Sequence, residues 1–121
     1  MRKLDLSTAT VSTVVGVVGG AGYASGTPLA PFSVGAPSYV AFWGYNLFMT
    51  DGRNAVIWKL DPASNTVVLL AGMNGSSASL DGPATSAQFN FPGPLTVDNV
   101  GNLFVIELVG YSLWRLGLLK I

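Results

Sequence analysis

Cysteine and histidine are both absent from this sequence. Without cysteine the chain forms no disulfide and offers no thiolate nucleophile, and without histidine it has no Ser-His-Asp triad and no Cys/His zinc site. Charge is also scarce: six basic residues balance six acidic ones, and charged residues make up 10% of the chain, against about 25% in a typical soluble domain. The basic residues are scattered, so we expect no nucleic-acid partner, because non-specific binding depends on neutralising phosphates with Lys and Arg.

Long apolar runs are missing too. The longest, residues 103–114, is interrupted by Glu107 and falls short of the roughly 20 residues that a membrane-spanning helix needs. Arg2 and Lys3 precede an apolar patch that faintly resembles a signal peptide, but Asp5 and several Ser and Thr residues dilute it. The sequence therefore predicts no membrane span and leaves the compartment open, with a lean towards an extracytoplasmic location.

Apolar residues are abundant by contrast. Half of the 121 residues are hydrophobic, and the chain has 15 Gly and 7 Pro. A lone domain of this length buries only about two-thirds of its unfolded surface. We therefore expect some apolar surface to meet a partner, another part of a larger chain or another copy.

The sequence repeats itself with a period of 56 residues. The matched blocks are Lys3–Asp5 with Lys59–Asp61, Thr10-Val11 with Thr66-Val67, Asn46–Phe48 with Asn102–Phe104, and Trp58 with Trp114. Chance would not keep four separated blocks in register. Between Phe32 and Pro37 the register slips, at a place where a loop tolerates the change.

Turn signals divide each repeat into short, β-prone segments. The predicted strands are Ser38–Phe42, Asn46–Asp51, Ala55–Asp61 and Asn65–Gly72 in the first repeat, and Leu95–Asp98, Asn102–Ile106 and Ser112–Leu116 in the second. Strands of this length joined by short turns predict a four-stranded antiparallel meander. Residues 81–89 are expected to hold one helical turn at most. A meander repeated at a fixed period is typical of a β-propeller blade.

The second repeat resembles NHL-repeat β-propellers. The matching positions are Asp81, Gly82, Ala87, Phe89, Pro92, Asp98, Gly101, Asn102, Phe104, Trp114 and Arg115, and in the first repeat Gly26, Phe32, Pro37, Asn46, Phe48, Asp51, Asn54 and Ile57–Leu60. Two departures stand out. The first strand of the first repeat ends at Trp43 where the family has Asp, and Glu107 replaces the Asp that ends the second strand.

The resemblance implies an all-β fold of propeller blades, and the repeat divides the chain into three units. Residues 1–16 are predicted to form the outer two strands of a preceding blade, 17–72 one full blade with its connector, and 73–121 a second blade with a weak or missing fourth strand. Because closed propellers have about four to eight blades, the chain is expected to be an incomplete propeller. Its predicted partners are further blades, or other copies that join head to tail through open edges.

A few polar residues are candidates for a ligand- or partner-binding site. Asp51, Arg53 and Asn54 cluster at a strand exit, where the alternative is a turn held by Asp and Asn side chains. Glu107 and Tyr111 flank an unusually apolar loop, for which we expect a contact surface. Asp98 and Glu107 raise the question of paired carboxylates, but turn capping is the simpler interpretation.

Other residues have simpler interpretations. Asn74 starts an N-glycosylation sequon, which matters only in a secreted eukaryotic protein. Trp58 and Trp114 repeat at one strand position, which favours packing over a sugar-stacking platform. Packing is also the expectation for the aromatic residues Tyr39, Phe42, Trp43, Tyr45 and Phe48.

No catalytic motif and no cofactor or metal site is evident from the residues. We therefore expect a non-catalytic propeller scaffold that mediates protein interactions. The alternatives are a fragment of a propeller enzyme of the hydrolase or lyase type and a carbohydrate-binding propeller. For the enzyme, the resemblance implies acidic residues and histidine at the channel, and this chain has no histidine.

Overall fold

The structure, a computed structural model, describes residues 1–15, 35–64, 66–110 and 113–117. These residues form three antiparallel sheets and no α-helix, which confirms the all-β fold. Sheet 1 contains β1 (Arg2–Asp5) and β2 (Thr10–Thr13); sheet 2 contains β3 (Pro37–Trp43), β4 (Asn46–Asp51), β5 (Val56–Asp61) and β6 (Thr66–Gly72); sheet 3 contains β7 (Pro92–Val97), β8 (Asn102–Glu107) and β9 (Leu113–Gly117). In each sheet the strands follow one another in chain order, as a meander does.

Residues that are equivalent in the sequence repeat also pair equivalently in the sheets. Leu47 pairs with Leu60 in sheet 2, and Leu103 pairs with Leu116 in sheet 3. The same holds between sheets 1 and 2, where the pair Leu4 and Val11 corresponds to Leu60 and Val67. Equivalent residues of the repeat thus occupy equivalent places in their sheets.

The two repeats differ by one residue in the first hairpin of the sheet. In sheet 2, Trp43 pairs with Asn46 across a two-residue turn in which Gly44 has a φ of 58°. In sheet 3 the last pair before the turn is Val97 with Leu103, which leaves a longer loop. The predicted slip between Phe32 and Pro37 falls largely outside the described residues.

Sheet 2 has two buried faces. Its back face packs against Met1, Val14 and Val15 of the sheet 1 segment and consists of Leu47, Met49, Val56, Trp58, Leu60 and Val67. Its front face, with Phe48 and Ile57, packs against the back face of sheet 3, with Leu103 and Val105. Each large apolar side chain fully buried in this way contributes about 1.5–3 kcal/mol. The sheets therefore stack front to back, in chain order.

An aromatic side chain on a glycine fixes one end of the contact between sheets 2 and 3. A Cβ atom at Gly101 would stand 2.8 Å from Cζ2 of Trp43, closer than packed carbon atoms approach. Gly101 also has a φ of 85°, a conformation that glycine adopts without steric cost. The Gly-Asn turn of sheet 3 therefore serves both the hairpin and the packing of Trp43.

The prediction that the aromatic residues pack is wrong for three of them. Tyr39, Phe42 and Tyr45 are 41%, 69% and 90% exposed. Phe42 lies on the edge strand β3, and sheet 1 presents only two strands, so nothing in the described chain faces it; Tyr45 stands at a hairpin tip. The strands themselves shift by up to three residues from the predicted bounds, chiefly because β7 begins at Pro92.

Other expectations hold or stay open. Residues 83–87 form a single turn in which the Ala87 N–H donates to the Pro83 carbonyl at 2.8 Å. The division into units 1–16, 17–72 and 73–121 stays a prediction. No helix in the described residues is long and apolar enough to cross a membrane.

Candidate functional site

Asp51 ends β4 with its carboxylate fully buried, at 0% exposure. Oδ2 accepts hydrogen bonds from the backbone N–H of Gly35 at 2.8 Å and from Nδ2 of Asn54 at 2.7 Å, and Oδ1 accepts from the Ala36 N–H at 2.9 Å. The Asn54 N–H at 3.3 Å and Nε1 of Trp58 at 3.4 Å complete the set. A carboxylate offers about four lone-pair sites, so these donors occupy all of them.

Glu107 is the counterpart of Asp51, one period later at the end of β8, and it is also fully buried. Oε1 accepts from the backbone N–H of Asn90 at 2.5 Å, and Oε2 accepts from Oγ of Ser79 at 2.7 Å. Gly110 stands where the first repeat has Asn54, so the side-chain donor comes from Ser79 in the connector. Both carboxylates therefore fasten the residues that precede the first strand to the end of the second.

A backbone contact accompanies each of these carboxylates. The Gly52 N–H donates to the Ala36 carbonyl at 3.2 Å, and the Leu108 N–H donates to the Phe91 carbonyl at 3.0 Å, the equivalent bond of the next repeat. In each sheet this bond joins the residue after the second strand to the residue before the first strand, next to the buried carboxylate. The arrangement is that of a structural bridge repeated in both sheets.

Three further carboxylates sit in turns. Asp5 accepts from the Ser7 hydroxyl at 2.6 Å and the Ser7 N–H at 2.9 Å, and these hydrogen bonds lower its pKa. The Ser64 hydroxyl and the Ala63 N–H lower the pKa of Asp61, its counterpart. For Asp98, the backbone and side-chain N–H groups of Asn102, both at 2.7 Å, are the main cause of a lowered pKa.

Asp98 and Glu107 do not form a catalytic pair. Asp98 precedes β8 and Glu107 ends it, and a strand rises about 3.4 Å per residue, which separates the two by about 17 Å or more. Asp98 accepts hydrogen bonds from Val100 and Asn102 of its own turn, whereas Glu107 accepts from Ser79 and Asn90 of the preceding connector. In the described part of the chain, no group of three or more acidic residues is close enough to hold a metal ion.

The remaining candidates lie on the surface or outside the described residues. Arg53 is exposed and forms no salt bridge with any described residue. Tyr111 lies outside the described residues. Asn74 is exposed in a turn, and the hydroxyl of Ser76, which completes the sequon, donates to Oε1 of Gln88 at 3.0 Å. Binding roles for these residues, and glycosylation at Asn74, stay predictions.

Sequence reasoning missed Ser79 and Thr50. No motif connects Ser79 with Glu107, because the two are 28 residues apart in the chain. Thr50 is fully buried in β4, and its hydroxyl is the buried side-chain polar atom that lacks a partner among the described residues. The equivalent residue of the second repeat is the apolar Ile106. Aligning the two repeats would therefore have identified Thr50 as a polar residue at a position where an apolar one is expected.

Among the described residues, one apolar groove lies where Met1 meets β3 and β4, and another lies on the front face of sheet 3. The first is lined by Met1, Pro37, Ser38, Tyr39, Val40 and Met49. The second, on the front face of sheet 3, is lined by Pro94, Leu95, Thr96, Phe104, Ile106 and Leu113. Neither groove is lined by a carboxylate or a basic side chain, so both favour apolar contact over chemistry.

Comparison with solved structures supports the all-β fold. A protein of unknown function from Bacteroides thetaiotaomicron superposes with a TM-score of 0.87 at 20% identity, covering 94% of this chain and 28% of that chain. An auxiliary nutrient binding protein from the same organism superposes with a TM-score of 0.71 at 25% identity, covering 86% of this chain and 28% of that one. This chain therefore spans little more than a quarter of either neighbour.

Sequence comparison gives a narrower likeness. The Arabidopsis thaliana protein SUPPRESSOR OF QUENCHING 1, chloroplastic, is 39% identical over 61 residues, which is 50% of this chain and 6% of that protein. No protein-family profile matches the chain. Membership of the NHL-repeat family therefore stays a prediction. The all-β fold is compatible with it.

Proposed function

We propose that this chain is a non-catalytic scaffold and protein-interaction module of the β-propeller type. The burial and hydrogen bonding of the carboxylates at the strand ends are the observation that supports this proposal best. Asp51 and Glu107, two of the acidic residues for which the sequence predicts a site, are both fully buried. Both accept hydrogen bonds from backbone N–H groups that precede the first strand of their sheets. Their geometry favours holding sheets in shape over transferring protons or binding a metal.

The front-to-back stacking of sheets supports the propeller assignment. Equivalent faces meet at both interfaces, and in each case the connection runs to the next sheet in the chain. Repeat architectures bury their cores between neighbouring units in this way. A module of this kind works as part of a longer array of sheets or together with other copies.

Thermal unfolding with and without divalent cations tests the non-catalytic assignment. Ca²⁺, Mg²⁺ and Zn²⁺ would each be added at millimolar concentration to protein first treated with EDTA. We expect the same Tm in every condition, because a cation that bound only the folded state would stabilise it by mass action. A cation-specific rise of several degrees would favour the enzyme alternative.

A small-ligand binding domain is the second candidate. The similarity to a protein described as nutrient binding and the exposed ring of Tyr45 at a hairpin tip favour it. Aromatic rings with one open face suit stacking on a sugar. Calorimetric titration with soluble oligosaccharides would show saturable heat that Tyr45→Ala abolishes; no heat with the unmodified protein would rule against it.

A further inference from the structure

Leu113 and Ile57 occupy the same position of the repeat but differ in exposure. Ile57 is 0% exposed and Leu113 is 69% exposed. The next position of the same face shows the same contrast, since Thr50 is 0% exposed and its counterpart Ile106 is 44% exposed. The front face of sheet 3 therefore has the side chains of a buried face without a cover in the described chain.

The chain itself shows what covers this type of face. The front face of sheet 2, with Phe48 and Ile57, lies under the back face of sheet 3, with Leu103 and Val105. Sheet 1 and sheet 2 meet in the same order. A continuation of this interface would place the back face of one more sheet on the front face of sheet 3.

The free edge of β9 supports the same occupant. β5 is paired on both sides, by β4 and β6, whereas its counterpart β9 is paired only with β8 among the described residues. One period after β6 (Thr66–Gly72) corresponds to positions 122–128. A repeat that follows in register would therefore fill the edge of β9 first and then cover the front face.

Sheet 1 of a second copy fits this face less well. Its back face carries Leu4 at the position of Leu60, but Arg2 at the position of the buried Trp58. Docking would press the Arg2 guanidinium against a groove that no carboxylate lines. Burial of an unpaired charge is costly, so the apolar back face of an intact repeat is the better partner.

We propose that the front face of sheet 3 and the edge of β9 are a docking surface for a further sheet of this same repeat, joined in register. The proposal rests on the scaffold assignment and adds the identity of the partner. Leu113, Ile106 and Phe104 would become its buried centre. Arg115 would stay at the rim, as the half-buried Lys59 does in sheet 2.

The absence of cysteine makes a direct test possible. Leu113→Cys introduces a unique thiol, and a second protein carries residues 66–121 again after Ile121, which continues the repeat in register. We expect the extension to slow thiol labelling at position 113 by more than about tenfold, because a buried thiol reacts only through opening of the structure. Labelling at the parent's rate in the extended protein, or an extension that remains unfolded, would overturn the proposal.

Two reference thiols and one matched control calibrate the test. Ile57→Cys marks the buried counterpart and should be protected in both proteins, while Leu6→Cys, at a position 89% exposed, should label rapidly in both. An extension with Leu103→Asp and Val105→Asp in the appended copy only should leave the thiol at position 113 reactive. Protection of that thiol that rises with the concentration of the unextended protein would instead identify a second copy as the occupant and overturn the proposal. Cation binding is measured separately, so failure of this surface would leave the non-catalytic assignment intact.

Discussion

The ring of Phe91 lies directly over Gly52: a Cβ atom at position 52 would stand 2.8 Å from Cε1 of that ring. Gly52 follows β4 and Phe91 precedes β7, so this contact joins sheet 2 to sheet 3. Trp43 on Gly101 joins the same two sheets at the opposite end of their strands. The separation of the two sheets is therefore fixed at both ends by an aromatic ring on a glycine.

Gly52→Ala should destabilise the protein by about 1–3 kcal/mol, because the added methyl group overpacks the contact with Phe91. The measurement is the urea midpoint with the m-value unchanged. Gly82→Ala is the matched control, since the nearest atom to a Cβ there is 3.5 Å away, and it should have little effect. Phe91→Leu should restore part of the stability in the Gly52→Ala background. An equal cost of Gly52→Ala with Phe or Leu at position 91 would show that the ring does not set the spacing.

Asp51→Ala should cost about 3 kcal/mol or more, since it removes the charged acceptor of several buried hydrogen bonds. Glu107→Ala removes the acceptor of fewer donors and should cost less. Asp61→Ala, in an exposed turn, should have the smallest effect of the three. Chemical denaturation of the three variants gives the order, and a loss for Asp51→Ala no larger than that for Asp61→Ala would contradict the bridging role.

Much of this fold can be predicted from the sequence. The offset between Lys59–Asp61 and Lys3–Asp5 identifies the repeat, and the turn residues around it predict the meander. The burial of Asp51 is harder to predict, because its donors Gly35 and Ala36 lie 16 and 15 residues away. The exposure of Phe42 and Tyr45 is also harder to predict, because an aromatic residue is ordinarily expected to pack. The sequence does not show that sheet 1 lacks the strands to cover Phe42, or that Tyr45 stands at the tip of a hairpin.

Thr50→Val should leave stability unchanged or raise it by up to about 1 kcal/mol. The Thr50 hydroxyl is buried without a partner among the described residues, and replacing an unsatisfied polar group with a methyl group of similar volume removes a desolvation cost. Calorimetry gives the change in Tm. A clear loss of stability would show that the hydroxyl has a partner, and Thr66→Val, at a half-buried hydroxyl in contact with Ser64, serves as the comparison.

Acid should weaken the turns that Asp5, Asp61 and Asp98 close. The folded state holds the pKa of each below its ordinary value, so each stabilises the fold above the unfolded pKa of about 3.9. That contribution is lost as the pH falls through the lower, folded pKa. The Tm of Asp98→Asn should therefore decrease less than that of the parent protein between about pH 5 and about pH 2. An equal decrease in the two proteins would contradict a stabilising role for the Asp98 carboxylate.

Native-state hydrogen exchange at the two equivalent strands, β5 and β9, tests the central claim. The claim is that the described sheets stack front to back and that no described residue covers the front face of sheet 3. β5 is paired on both sides and buried, while β9 has one free edge among the described residues. We predict that amides of β5 exchange only by global unfolding, whereas the outward-facing amides of β9 exchange orders of magnitude faster through local opening. Equal protection of the two strands would mean that β9 is already covered and would contradict the account.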